Sequence, residues 1–261
     1  MLAMAAQRLA IEGISHEIDG GRFAAKAVAG WPETIEADIF SDGHDVIAAV
    51  LVHRKGDDAT LTEVPMQFAG NDRWRATATF DAPGNHEFGF VAWRDLYATW
   101  HKEVAAKLAA GQDIGLELEE GRRLIEAATG ADGHAAGDDK ASIKALLKED
   151  KSRIGSGEDA ARFAHLGADE VVALMRRAGP RTNVTRSRLL PLHVDRPAAA
   201  FSAWYELMPR SMSGDETRHG TFDDTITRLP YIRDLGFDVI YLPPIHPIGR
   251  VNRKGRNNTL T

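Results

Sequence analysis

The 261-residue sequence contains no cysteine, which excludes a disulfide framework, a thiolate metal site and a thiol nucleophile. It also lacks any uncharged apolar run of about 18 residues, so no segment is predicted to span a membrane. A short apolar start without a basic leader is followed by charged Arg8 and Glu12, which argues against a secretory signal. We therefore expect a cytoplasmic protein with no membrane partner.

Positive charge is not in excess. The 32 Lys and Arg residues face 38 Asp and Glu residues, and the formal net charge is −6 at pH 7. This balance argues against a nucleic-acid partner, because binding to phosphates depends on clustered Lys and Arg. No Walker loop, dinucleotide fingerprint or zinc-ligand spacing is present, so we expect no cofactor and no metal. Apolar residues make up 43% of the sequence, enough to form a substantial core.

The first segment, residues 7–100, has the pattern of short strands separated by turns rich in Gly, Asn and Asp. Apolar residues alternate or cluster in five predicted strands, at 23–28, 34–40, 46–53, 74–80 and 87–93. Strands of this length and spacing predict an antiparallel, immunoglobulin-like β-sandwich. Aromatic residues in these strands, Trp74, Phe88, Phe90 and Trp93, are expected to form core rather than a ligand-binding surface.

The second segment, residues 101–181, changes to helical spacing. Apolar stripes at 104–108, 124–128, 143–147 and 171–175 predict four short amphipathic helices, which form an inserted bundle. Residues 182–197 are predicted to contain a strand at 184–194, which returns to the sandwich, followed by a linker.

The third segment, residues 198–261, predicts a strand at 200–207, a helix at 223–235 and a strand at 237–242. A strand, a helix and a strand joined by short turns form one right-handed parallel unit. The first strand is apolar enough to be buried on both faces. Pro230 predicts a kink or restart of the helix, and Gly236 predicts its left-handed end. The helix residues expected to face the sheet are Ile226, Leu229, Ile232 and Leu235.

The order of these elements, with Gly-Thr-Phe at 220–222 and Leu-Gly-Phe-Asp at 235–238, resembles the opening of an α-amylase superfamily barrel. Residues 205–211 (YELMPRS), 243–249 (PPIHPIG) and 252–258 (NRKGRNN) resemble one subgroup, the α-1,4-glucan:maltose-1-phosphate maltosyltransferases. The strong resemblance covers residues 198–261, roughly a quarter of the chain. Met208 departs from the family pattern, in which Phe is more frequent.

The resemblance implies a retaining glycosyltransferase that moves maltosyl units from α-maltose 1-phosphate to the non-reducing end of an α-1,4-glucan. Its (β/α)₈ barrel carries a carboxylate nucleophile and a carboxyl acid/base on strands beyond the second. No residue of this sequence is expected to inherit either catalytic role. We therefore expect the N-terminal portion of such an enzyme, with a truncated barrel and no activity of its own.

One binding residue carries over from the family. Lys254 matches the lysine that contacts maltose 1-phosphate, and an ammonium group suits a phosphate dianion. The residues expected to support this loop or line the donor pocket are Arg253, Arg256, Asn257 and Asn258, with His246 as a candidate neighbour. The competing interpretation is a solvated basic loop, which is what most basic clusters are.

Two alternatives stay open. The sandwich and helical insertion are compatible with a non-catalytic glucan-binding or dimerisation module, because in the family these domains contribute to a homodimer interface. The sequence is also compatible with the N-terminal part of a branching or debranching enzyme, since those enzymes also begin with a sandwich.

Overall fold

A computed structural model describes residues 8–155, 159–247, 249–255 and 258–259. The chain divides into two compact units, unit 1 (Met1–Asp195) and unit 2 (Arg196–Thr261). Its described residues form mixed sheets and six helices, without a closed barrel. None of the described helices is both long and apolar enough to cross a membrane.

Two sheets form the β-structure of unit 1. One has the strand order β1-β3-β7-β6, and the other has the order β2-β10-β8-β4-β5 with β9 also paired to β8. The pairing of β10 with β2 is parallel, and the other pairings in these sheets are antiparallel. The strands are β1 (Leu9–Glu12), β2 (Ala25–Val28), β3 (Pro32–Ser41), β4 (Ile47–Lys55), β5 (Thr62–Pro65), β6 (Gln67–Gly70), β7 (Arg73–Thr79), β8 (Gly84–Arg94), β9 (Thr182–Arg186) and β10 (Leu190–Asp195).

The main core of unit 1 lies between these sheets and takes residues from both. Ile35 of β3 is fully buried, as are Phe88 and Phe90 of the central strand β8. Trp93 is buried in a smaller cluster that contains alternate residues of β4 and β8. These aromatic side chains are core, as the alternating pattern predicts, whereas Trp74 is only partly buried at the edge of the main core.

Five described helices follow β8, one more than the four that the sequence predicts. The additional helix, α4, has eight residues, and its apolar stripe is too short to be distinguished from a connector. Tyr97, Trp100, Ile125 and Ile143 contribute to a separate core between the helices. The helices are α1 (Leu96–Ala109), α2 (Gly115–Ala127), α3 (Asp138–Arg153), α4 (Asp159–Leu166) and α5 (Asp169–Ala178).

Close packing of α1 against α2 depends on Gly121. A Cβ atom at this position would overlap the Trp100 ring and would lie 2.8 Å from its Cη2 atom. The Trp100 Nε1–H donates a hydrogen bond to the Glu117 carbonyl at 2.7 Å, which fixes the indole against α2. Glycine therefore allows a large buried ring to lie directly on the helix backbone.

The predicted single strand at 184–194 is wrong, because two strands, β9 and β10, occupy this region. β10 pairs with the first half of β8, and β9 pairs with the second half. The chain bends between them, where the Ser187 Oγ accepts a hydrogen bond from the Phe90 N–H at 2.9 Å. Alternation alone does not reveal this break, since both parts keep strand periodicity.

Unit 2 contains β11 (Trp204–Glu206), α6 (Phe222–Asp234) and β12 (Val239–Tyr241). The two strands are parallel, with Trp204 opposite Val239 and Glu206 opposite Tyr241, which confirms the predicted parallel pairing. Both strands are shorter than predicted. The helix continues through Pro230, so of the predicted kink or restart the restart is wrong.

Side chains of unit 2 are less buried than the apolar pattern of its strand and helix indicates. Trp204 is 59% exposed, although its strand was expected to be buried on both faces. Of the four helix residues expected to face the sheet, only Ile232 is buried, and Ile226, Leu229 and Leu235 are exposed. Among the described residues of unit 2, one pair of strands and one helix offer too little surface to cover these side chains.

A buried ion pair joins α3 to α4. The Arg162 Nε and Nη2 atoms donate to the two Asp150 carboxylate oxygens at 2.7 and 2.9 Å. Asp150 is fully buried, and Arg162 is 7% exposed. Burial, and then the nearby Asp150 charge, raise the pKa of Tyr97, whose hydroxyl donates to the Leu166 carbonyl at 2.7 Å. The pair therefore belongs to a buried polar network inside the helical core.

We expect Asp150→Ala to lower the free energy of unfolding by about 3–5 kcal/mol, because it leaves the Arg162 guanidinium buried without its carboxylate. Urea unfolding followed by circular dichroism measures the change. Glu149→Ala is the matched control, since its pair with Arg153 on the same helix is exposed and worth about 0.5 kcal/mol or less. Equal losses in the two variants would contradict a special role for the buried pair.

Candidate functional site

The candidate site is a cavity of about 460 Å³ in unit 2, at the carboxyl ends of the parallel strands β11 and β12. Parallel strands bring their carboxyl ends to the same edge, and α6 begins at that edge because it returns the chain from one strand to the next. Three segments therefore converge on the cavity. Its described lining residues are Met208, Pro209, Arg210, His219, Gly220, Thr221, Phe222, Pro243, Pro244, Ile245 and His246.

Backbone hydrogen bonds hold the strands that carry these loops. The Leu207 N–H donates to the Tyr241 carbonyl at 3.1 Å, at the carboxyl end of the pair. At the opposite end the Asp238 N–H donates to the Ala203 carbonyl at 2.9 Å, and the Asp238 carboxylate accepts from the Ala203 N–H at 2.8 Å. The hydrogen-bonded pairing of β11 with β12 therefore continues to the end of the strands at which the cavity lies.

A capping box fixes the start of α6 at the cavity. The Thr221 side chain accepts from the Asp224 N–H at 3.3 Å, and the Asp224 carboxylate accepts from the Thr221 N–H at 2.8 Å. Arg218 donates two hydrogen bonds to the same carboxylate at 2.7 and 2.8 Å. The Arg218 guanidinium, and then the Thr221 N–H, hold the pKa of Asp224 well below its usual range. Asp224 therefore serves the helix start, where a carboxylate is favoured by the helix dipole.

The loop before α6 is tightly folded around Gly220. The Gly220 N–H donates to the Arg210 carbonyl at 2.7 Å, and Gly220 is buried. A Cβ atom here would overlap the Pro209 carbonyl oxygen and would lie 2.8 Å from the Met212 and Ser213 nitrogens. The absence of a side chain is therefore what allows the residues after β11 and the residues before α6 to line one cavity.

The lining combines apolar surface with cationic and imidazole groups. Met208 and Phe222 are about half exposed, at 49% and 53%. Arg210, His219 and His246 are exposed along the same lining. Pockets with this composition bind small polar ligands, and a guanidinium group favours an anionic one. Groups of three or more acidic or histidine residues that could hold a metal do not occur among the described residues.

Of the site residues predicted from the sequence, His246 lines this cavity. Lys254 and Arg253 are exposed on the segment that follows, and they are not among the described lining residues. Asn258 is exposed and has a positive φ of 61°. Arg256 and Asn257 lie outside the described residues. The substrate roles of all six residues, His246 included, stay predictions.

The sequence did not single out Arg210, His219 or Phe222 as site residues, although all three line the cavity. The signal for Arg210 and Phe222 was present, because both lie in stretches that carry the family resemblance. His219 directly precedes the Gly-Thr-Phe stretch at 220–222, and only the return of the chain to the strand edge brings it to the site.

Comparisons with known proteins point in one direction. Residues 7–196 match the family model described as alpha-1,4-glucan:maltose-1-phosphate maltosyltransferase, domain N/S. The chain is 59% identical over 260 residues to the alpha-1,4-glucan:maltose-1-phosphate maltosyltransferase of Cereibacter sphaeroides, covering 100% of this chain and 43% of that protein. A relative of the same name from Pseudomonas aeruginosa is 42% identical over 260 residues, covering 100% of this chain and 38% of that protein. The chain thus spans about two fifths of the length of these two relatives.

We expect Gly220→Ala to destabilise unit 2 by about 1–3 kcal/mol, because the added methyl group overlaps backbone atoms that have no free space to move into. Hydrogen exchange should rise in the residues that line the cavity and stay unchanged in unit 1. Gly249→Ala is the matched control, since a Cβ atom there meets open space. Unchanged exchange around the cavity in the Gly220 variant would contradict the packing role of this glycine.

Proposed function

The chain belongs to the α-1,4-glucan:maltose-1-phosphate maltosyltransferase family, and from this premise we propose that it is the N-terminal portion of an enzyme that extends α-glucans. The enzyme transfers maltosyl units from α-maltose 1-phosphate to the non-reducing end of an α-1,4-glucan, with retention of configuration. The observation that carries the proposal is the cavity at the carboxyl edge of the parallel pair β11 and β12, directly after the segment that matches the family model.

Unit 2, in this proposal, is the first β-α-β unit of a (β/α)₈ barrel. Two observations support it. Barrel enzymes place their active sites at the carboxyl ends of the strands, which is where this cavity lies. The exposed apolar side chains of unit 2, among them Phe201, Ile226 and Leu235, are the kind of surface that further strands and helices of a barrel bury.

Unit 1, in the same proposal, is an immunoglobulin-like sandwich that carries an inserted helical bundle. The domain boundaries are those expected from the sequence: sandwich 7–100, helical bundle 101–181, returning strand and linker 182–197, and barrel 198–261. The common core of the two sheets and the separate core of the described helices support a division into sandwich and bundle, with the bundle beginning at Leu96, where α1 starts. A cytoplasmic location and a homodimer formed through unit 1 complete the proposal.

Lys254 is proposed to hold the phosphate of the donor. It lies on the segment that follows β12, whose earlier part contributes His246 to the cavity. An ammonium group offers three donors and a point charge to a phosphate dianion. Arg253, Arg256, Asn257 and Asn258 support the segment or complete the donor pocket.

The 261 residues are further proposed to be inactive by themselves. Retaining transfer requires a nucleophilic carboxylate and an acid/base carboxyl on either side of the scissile bond. The cavity in unit 2 is lined by imidazole, guanidinium and apolar groups, and no carboxylate occurs among its described lining residues. Donor binding and chemistry are therefore assigned to different parts of the complete enzyme.

We expect the purified chain to release no phosphate from α-maltose 1-phosphate in the presence of glycogen. A chimera that joins residues 1–261 to the remaining part of the Cereibacter sphaeroides relative should release it, because the relative supplies the missing strands. A coupled phosphate assay measures turnover, and mass spectrometry of short acceptors measures growth in steps of two glucose units. Turnover by the chain alone would contradict the proposed inactivity, and a folded chimera without transfer would contradict the proposed function.

In that chimera we expect Lys254→Ala to raise KM for the donor and to lower kcat/KM roughly tenfold to a hundredfold. A charge-assisted hydrogen bond to phosphate contributes about 1.5–3 kcal/mol, which corresponds to this range. Lys140→Ala, which removes an exposed lysine from α3, is the control and should leave both constants unchanged. A normal KM in the Lys254 variant would remove this residue from the donor site.

A further inference from the structure

A second groove, of about 450 Å³, lies in unit 1 at the rim of the main core. β4, β6, β7 and α5 all contribute lining residues, and none of these residues has a part in the proposed transfer reaction. Its floor is apolar and contains Ile47 and Met66. Grooves of this size with an apolar floor are large enough to hold a small ligand or part of a polymer.

Two aromatic rings form one wall of the groove. Phe68 on β6 lies opposite Trp74 on β7, and their ring centroids are 5.5 Å apart at an interplanar angle of 62°. The Trp74 Nε1–H donates to the Ile39 carbonyl at 3.1 Å, which fixes the indole. Phe68 is 60% exposed. The exposed Phe68 ring therefore lies against an indole that is hydrogen-bonded in place and partly buried.

Exposure of Phe68 contrasts with the aromatic residues of β8, which are buried in the core. β6 is an edge strand of its sheet, so a polar side chain at this position would serve folding equally well. Phe68 is not an isolated exposed ring, because it adjoins Trp74 and the groove, and apolar surface rimmed by polar residues is typical of a ligand-binding surface. The ring pair is thus better explained by binding than by folding.

Polar groups on the rim indicate a neutral ligand. Asp45 pairs with Arg94 at 2.8 Å, and Arg176 pairs with Asp95 at 3.3 Å, so both charges are partly compensated. Gln67 and Asp72 are exposed beside the rings and offer an amide and a carboxylate. An anion would meet two carboxylates, whereas the hydroxyl groups of a sugar can donate to them.

We propose that this groove binds an α-1,4-glucan, the acceptor of the proposed reaction, and so tethers the polymer to unit 1. The C–H face of one glucose ring lies on Phe68, and its hydroxyl groups donate to Asp72 and Gln67. The inference rests on the proposed function for the identity of the polymer, and on the groove for the binding.

The test uses the 261-residue chain in affinity electrophoresis through glycogen and in calorimetric titration with maltoheptaose. We expect binding by the unchanged chain, and a loss of about tenfold or more in Phe68→Ala, because the variant removes the central aromatic contact. Phe68→Tyr keeps the ring face and should bind normally. Phe23→Ala is the matched control, since Phe23 is also about half exposed but lies next to β2, at the other edge of its sheet from β5. Circular dichroism establishes that each variant is folded.

Three results would overturn the proposal. The first is that the unchanged chain binds no glucan, and the second is that the Phe68→Ala variant binds glucan equally well. The third is that the chain self-associates instead of binding glucan and that Phe68→Ala abolishes this self-association, which would make the groove a protein interface. The proposed function is tested independently of the groove, because it is measured as phosphate release by the chimera. A chimera that transfers maltosyl units beside a chain that binds no glucan would refute the groove alone.

Discussion

The insertion of β10 between β2 and β8 is the constraint on which the rest of unit 1 depends. β10 runs parallel to β2 and antiparallel to β8, so Leu192 lies opposite both Ala25 and His86. Leu190, Leu192 and Val194 are buried in the core, which is therefore completed only by a strand that follows the five described helices of unit 1. Because β8 precedes these helices and β9 and β10 follow them, both ends of the helical segment are tied to one sheet.

Asp95 connects the sheet to the helical segment. It directly follows β8 and caps α1, since its carboxylate accepts from the Ala98 N–H at 2.9 Å. Its second oxygen accepts from Arg176 on α5 at 3.3 Å. The buried Asp95 carboxylate therefore joins the end of β8 to α1 and α5, the first and last described helices of unit 1. The same contact positions Arg176 on the rim of the groove, so the electrostatics of the groove depend on how the helices are anchored.

In unit 2 the direction of two short strands has the greatest consequence for function. Parallel pairing places the residues after β11 and after β12 at one edge, and the capping box of Thr221 and Asp224 holds the start of α6 beside them. An antiparallel pair would separate these loops and leave no common cavity. Arg218 donates to the capping carboxylate of Asp224 and so neutralises the charge at the start of α6. The imidazole of His246 lines the cavity.

The sequence by itself determined the features that depend on neighbouring residues. Alternation located β3, β4, β7 and β8 to within a few residues, and the left-handed end of α6 at Gly236 has a φ of 91°, as its glycine predicts. The stretches in residues 198–261 also carried the family resemblance. Only the tertiary structure decided the break between β9 and β10, the exposure of Phe68 and the place of His219 in the cavity. Each of these features depends on which elements are neighbours in the fold, and on whether a strand lies at the centre or at the edge of its sheet. Contacts between residues far apart in the chain determine both.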